Sequence, residues 1–103
     1  STPAMQTQNL KLDADKVKSI KIKLKNNTPS TTAKLYFMNK GDSSYSDDKS
    51  FQFKTYSYDT VGSEYEIIPA ENDNWLGEVA ALRLEPAYDK GSIGVDYIRI
   101  EMK

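Results

Sequence analysis

The stretch Trp75-Leu76-Gly77-Glu78-Val79-Ala80-Ala81-Leu82-Arg83-Leu84-Glu85-Pro86 decides the fold, together with Ser92-Ile93-Gly94-Val95-Asp96-Tyr97-Ile98-Arg99-Ile100-Glu101-Met102 beyond a short loop. Leu82 and Leu84 share one parity, Arg83 and Glu85 the other, which is the period-2 pattern of a half-buried strand. Pro86 has no N–H to give a ladder and ends that strand, while Gly91 sits in the loop Ala87-Tyr88-Asp89-Lys90-Gly91, where positive φ is often needed. The second segment breaks its own alternation. Val95 and Tyr97 share one parity; Ile98, Ile100 and Met102 share the other. Either a bulge sits near Asp96-Tyr97 or both faces are covered; the bulge is favoured, aiming Asp96 into a special position and leaving Ile98 and Ile100 in the core.

Working outward, the same pattern recurs. Glu64 to Ile68 reads as a strand with Tyr65 and Ile67 inward, closed by Pro69, and Ser50 to Lys54 reads as one with Phe51 and Phe53 inward and Gln52 outward. Between them, Tyr56 and Tyr58 lead into a turn around Asp59-Thr60-Val61-Gly62. Thr31 to Asn39 places Ala33, Leu35 and Phe37 inward and Lys34, Tyr36 and Met38 outward. Val17 to Lys25 alternates Ile20, Ile22 and Leu24 with Lys21, Lys23 and Lys25. Asp13 caps a turn or a single helical turn, Asn9 to Leu12 suits a short edge strand, and Ser1 to Gln8 carry no pattern and are expected to extend or fray. No window shows a 3.6-residue apolar period of helix length. Six or seven strands at this spacing predict a single all-β domain over residues 1–103, a sandwich or a barrel.

Composition narrows the chemistry. The chain has 103 residues, no Cys, no His and a net charge of -1 with both signs interspersed. That removes thiol chemistry, disulfides, most zinc sites and the commonest general base. The charge balance lacks the basic footprint of a nucleic-acid binder. No apolar run approaches the roughly 18 residues of a membrane-spanning helix, and no signal peptide is visible, so the chain reads as a mature piece; its Cys-free, Tyr-, Thr-, Ser- and Asn-rich composition leans toward a secreted or cell-surface β module. The polar loop Lys40 to Lys49 is acidic, but its carboxylates are not spaced as a calcium-binding helix-loop-helix requires, and it reads as an ordinary loop.

No nucleophile elbow, phosphate loop or metal-binding His motif is present, and none of the Asp and Glu residues sits in an apolar setting that would raise its pKa. Catalysis is not expected. Binding is better supported. Sugars offer apolar C–H faces and rings of hydroxyls, which an aromatic platform flanked by Lys, Arg, Gln and Glu satisfies. The outward residues Lys21, Lys23, Tyr36, Met38, Gln52, Lys54, Arg83 and Glu85 are expected to share one sheet face, with Tyr36 and Arg83 as leading contacts and Lys23, Gln52 and Glu85 next. Trp75, Tyr45 and Tyr88 fall in loops that could border the face, although a lone Trp beside Gly77 equally suits a plug at the end of a sandwich.

Several strings together carry a resemblance: Asp13-Ala14-Asp15-Lys16-Val17-Lys18-Ser19-Ile20-Lys21-Ile22-Lys23-Leu24-Lys25-Asn26-Asn27-Thr28, Ala33-Lys34-Leu35-Tyr36-Phe37, Trp75-Leu76-Gly77, Leu82-Arg83-Leu84-Glu85-Pro86 and Val95-Asp96-Tyr97-Ile98-Arg99-Ile100. In their order and spacing, from about Asn9 onward, they resemble the bacterial jelly-roll carbohydrate-binding modules of galactose-binding-like topology, found on secreted polysaccharide-degrading enzymes and surface-layer proteins. The resemblance implies an antiparallel jelly-roll sandwich of six to eight strands that holds a glycan on a concave sheet face or in a loop-edged cleft. It implies no required cofactor; a structural calcium is frequent in such modules, with an Asp on the final strand contributing, and Asp96 is the matching position. The function expected is therefore a non-catalytic polysaccharide-binding module, tethering the catalytic domain of its parent chain to a neutral β-glycan or an acidic pectin-type glycan. The competing class is a structural spacer or protein-interaction domain of a surface protein without a glycan ligand.

Overall fold

Wherever apolar side chains alternate in this chain, one face of the backbone gains by leaving water, and the extended conformation is the one that separates the two parities. The computed structural model describes residues 5–7, 9–85 and 92–103. Its strands are β1 (Met5–Thr7), β2 (Leu12–Asp13), β3 (Val17–Asn27), β4 (Thr32–Asn39), β5 (Ser50–Lys54), β6 (Asp59–Ile67), β7 (Glu78–Glu85) and β8 (Ser92–Met102). Only short 3-10 turns interrupt them among the described residues. The first of these turns, Ala14–Lys16, begins where Asp13 accepts a hydrogen bond from the Asp15 N–H, as the sequence predicts.

The strands form an antiparallel β-sandwich. A five-stranded sheet runs β1-β7-β4-β5, with β2 also pairing β7, and a three-stranded sheet runs β6-β3-β8. The chain passes from one sheet to the other between β2 and β3, β3 and β4, β5 and β6, β6 and β7, and β7 and β8. Ile20, Ile22 and Leu24 from β3 meet Leu35, Phe37, Val79, Leu82 and Leu84 from β4 and β7 in the interior, all buried.

The register confirms the bulge in β8. Lys23 is opposite Tyr97 while Leu24 is opposite Val95, so Asp96 is the extra residue, and Val95, Ile98 and Ile100 all pack against the core. Two expectations are corrected. Met5 to Thr7 do not fray, because they pair with Leu82 to Leu84 of β7. Asp59 to Gly62 is not a free turn either. It is the start of β6, where Asp59 pairs with Asn26 and its carboxylate accepts from the Gly62 N–H and the Ser63 hydroxyl. Gly62 there has a φ of +102° and lies against Leu24 and Lys25, a conformation that favours a residue without Cβ. Pro86 to Gly91, including the loop and Tyr88, lie outside the described residues.

Two interior features fasten the sheets. Trp75 is 5% exposed and packs edge-on to Phe37 and Phe51, with ring centroids 5.0 and 5.8 Å away, while its Nε1 donates to the Ala14 carbonyl at 3.0 Å. It is a core plug, and the expectation that it borders a ligand face is overturned: its large apolar ring has been drawn between the sheets and its one donor is used. At the other end, the fully buried Asn26 donates to the Ser30 carbonyl at 2.9 Å and the Tyr56 carbonyl at 3.0 Å, and accepts from the Thr28 hydroxyl at 2.5 Å. This joins the β3–β4 turn to the β5–β6 turn. Trp75→Ala is expected to destabilise the fold by about 3–5 kcal/mol, as large aromatic truncations in cores do, whereas Met38→Ala on the outer face costs under about 1 kcal/mol; urea unfolding of the two variants beside the parent checks this.

Candidate ligand-binding face

The outer face of the larger sheet is built by parity and register. With Leu35 and Phe37 turned inward, Lys34, Tyr36 and Met38 of β4 face out. The ladder puts Tyr36 directly beside Arg83 on one side and Ser50 on the other. One step along, Lys34 lies between Gln52 and Glu85. Tyr36, Arg83, Gln52 and Glu85, named from the sequence, are therefore brought together as a two-row patch.

Lys21 and Lys23 are not on it. They belong to β3, in the smaller sheet, and their side chains point from the opposite side of the molecule. The reason is topological: the β3–β4 connection crosses between sheets, so the outward parities of the two strands diverge. On their own face these lysines meet carboxylates and aromatics. Lys23 is opposite Glu64 and Tyr97, and Lys21 is opposite Glu66 and Arg99 and bridges Glu101 at 2.7 Å.

The β4–β5 loop folds over the patch. Tyr45 stands edge-on to Tyr36 with ring centroids 6.3 Å apart, and the Arg83 guanidinium carbon is 5.9 Å from the Tyr45 ring centre. Asp47 accepts from the Tyr36 hydroxyl at 3.0 Å and from Lys34 at 3.3 Å. The loop is itself fixed, by Lys49 to Asp42 at 2.6 Å and by Asn72 and Asn74 side chains on the Asp48 carbonyl. It is thus more than an acidic connection. Lys34 and Asp47 are the residues that sequence reading passed over. Lys34 shares the parity of Tyr36 and could have been included, but a loop carboxylate such as Asp47 carries no signal until the loop is folded.

Two buried polar atoms in the described residues lack a hydrogen-bond partner, the Tyr45 hydroxyl and Arg83 Nε, and both are in this cluster. The nearest carboxylate oxygen to Arg83 Nε, on Glu85, is 4.0 Å away, beyond hydrogen-bond reach. Burial pushes the Tyr45 and Tyr36 hydroxyls above the usual phenol range, the latter helped by its bond to Asp47, so both remain donors well into alkaline solution. Beyond Gln52 the patch runs toward an open cleft of about 330 Å³ lined by Phe51, Phe53, Glu66, Ile68 and Asn72. Tyr56 and Tyr58 are the most exposed aromatics, at 68% and 63%, but they stand at the β5–β6 turn rather than in the patch.

Asp96 is exposed on β8, and among the described residues no group of three or more Asp, Glu, His or Cys gathers to hold a metal. In the register Asp96 is the extra residue of the β8 bulge. The chain matches no family model, no curated protein and no solved structure.

Hydrogen bonds from Tyr36 and then Lys34 hold the Asp47 carboxyl below the usual range, and Lys49 does the same for Asp42. Both groups are more acidic folded than unfolded, so their ties are at full strength above the unfolded carboxylate pKa and are lost as pH falls through the depressed folded values. As pH falls below the ordinary carboxylate range and through the depressed folded values, the loop is expected to leave the sheet before the core opens. Loss of the Tyr36–Tyr45 ring contact by NMR, with Phe37 signals unchanged, checks this. Asp47→Asn should produce the same loosening at neutral pH.

Proposed function

We propose that this domain is a non-catalytic glycan-binding module whose site is the outer face of the larger sheet. The observation that supports it best is the contiguous set Tyr36, Tyr45 and Arg83, which combines aromatic surface with two unpartnered polar atoms. A pyranose ring laid against the tyrosines would give its C–H face to the aromatic surface, while its hydroxyls reach the Arg83 guanidinium, the Gln52 amide and the Glu85 carboxylate. Each such contact is modest, and an extended chain would sum several along the sheet. In a larger secreted protein, such binding holds a tethered catalytic domain near its substrate by raising effective concentration.

The charge of the face favours a neutral glycan over a uronate polymer. The lysines that pointed to an acidic ligand, Lys21 and Lys23, are on the other side, Lys34 is bound to Asp47, and Arg83 lies beside Glu85. Fixed ammonium groups free to pair with carboxylates are therefore few here.

Affinity electrophoresis against a panel of neutral and acidic polysaccharides tests the reading. Retardation is expected with a neutral β-glycan, little altered by added salt. Tyr36→Ala and Arg83→Ala should each weaken it about tenfold, the loss of one aromatic or charged contact, while Lys23→Ala leaves it unchanged. Binding that survives both variants rejects this face. Binding to uronates that fades with salt rejects the neutral ligand, and no binding to any glycan leaves the spacer or protein-interaction reading in its place.

A further inference from the structure

The two sheets are of unequal width. Phe53 of β5 packs on Tyr65 of β6 with ring centroids 5.6 Å apart, which sets those two edges over each other. Counted from that side, β4 lies over β3 and β7 over β8, and the lane that β1 and β2 share beside β7 has no strand of the smaller sheet facing it. Among the described residues β8 pairs with β3 alone, so the N–H and C=O groups of its other edge have no ladder partner among them. The side chains around this gap record it. Ile20 and Ile22 of the central strand are buried, but Ile98 and Ile100 opposite them on β8 are only half-buried, and Met102 of the same parity is 49% exposed. Leu10 and Leu12 are half-buried on the facing sheet.

We infer that the free edge of β8, from Tyr97 to Met102, accepts one extended segment of another polypeptide, apolar at alternate positions and acidic between them. Asp96 twists the strand at its bulge and leaves the run beyond it regular, which limits pairing to that stretch. The alternate apolar side chains would cover Ile98, Ile100 and Met102 on the inner side and meet Leu10 and Leu12. The acidic ones follow from Arg99. It is exposed, stacks on Tyr97 at 4.4 Å and has no carboxylate within 4.0 Å among the described residues, whereas neighbouring Glu101 is already bridged by Lys21. A second copy docked edge to edge does not fit. Its own β1–β2 lane would overhang into the space that β7 occupies, and the gap is one lane wide. Recognition is then strand addition, with the ladder supplying affinity and side-chain parity supplying selectivity.

The test uses an end-blocked peptide of alternating valine and glutamate, about eight residues long, the length of an ordinary strand. Its addition is expected to slow amide exchange over Tyr97 to Met102 and to leave β5 and β6 unaffected. Arg99→Glu, an exposed substitution that leaves the core untouched, should weaken the valine–glutamate peptide about fivefold and favour a valine–lysine peptide by a similar factor. Unchanged exchange at β8 with peptide in excess overturns the proposal. So does equal protection at the β5 and β6 edges, indifference to the Arg99 charge reversal, or protection of β8 by self-association without peptide.

Discussion

The edge-on packing of Trp75 against the stacked Phe37–Phe51 pair is the contact on which the candidate face rests. Phe37 and Phe51 belong to β4 and β5, and each lies one residue from a face position, Tyr36 and Ser50 or Gln52. Fixing the inward aromatic rings fixes the angle at which the outward neighbours leave the sheet, since successive side chains alternate about one backbone. The indole also reaches the Ala14 carbonyl, so the turn before β3, the link before β7 and two strands of the larger sheet meet at one side chain. The polar link Asn72 to Gly77 is held to the body of the protein by this buried indole and by hydrogen bonds of Asn72 and Asn74 to the Asp48 carbonyl, of Asn39 to the Leu76 carbonyl and of the Ala14 N–H to the Gly77 carbonyl.

The two outer faces solve the exposure of polar side chains differently. On the smaller sheet, lysines, an arginine and glutamates are interleaved across strands, with Lys21 bridging Glu101 and the Tyr97 hydroxyl donating to Glu64. Such pairs are hydrated and individually weak. On the larger sheet the charges are fewer and a loop is laid across them, so that Asp47 serves Tyr36 and Lys34 together. The result is a partly dehydrated patch in which aromatic area and hydrogen-bonding groups are neighbours, the combination a polyhydroxylated ligand can use.

Much of this was legible in the sequence, and the gaps have a common cause. Alternation identified which side of each strand is buried, including Ile22, Leu35 and Phe37, and the parity break at Asp96 disclosed a bulge before any register was known. Parity is a local quantity. It says whether a side chain is inward or outward, but not which sheet its strand joins, so Lys23 and Tyr36 seemed to be neighbours although the chain crosses between them. The start of β6 was hidden because Asp59-Thr60-Val61-Gly62 has the composition of a turn, while in the fold those residues arch over Lys25. Trp75 was ambiguous for a similar reason: its sequence neighbours are polar, and the aromatic partners that bury it are some 24 and 38 positions away, reached only through long-range packing.

Asn26 carries a kinetic meaning beyond its place in the interior. Its side chain ties Ser30 and Thr28, close in sequence, to Tyr56, thirty positions along the chain. That knot closes only when two turns, each between strands of different sheets, have come to rest at the same end of the molecule. An interaction that forms after the folding barrier acts on the rate of opening rather than the rate of formation, and one that needs both turns in place is expected to be of that kind. In a chain with no cysteine to cross-link it, a single amide ties distant segments as a covalent clasp does in disulfide-linked domains.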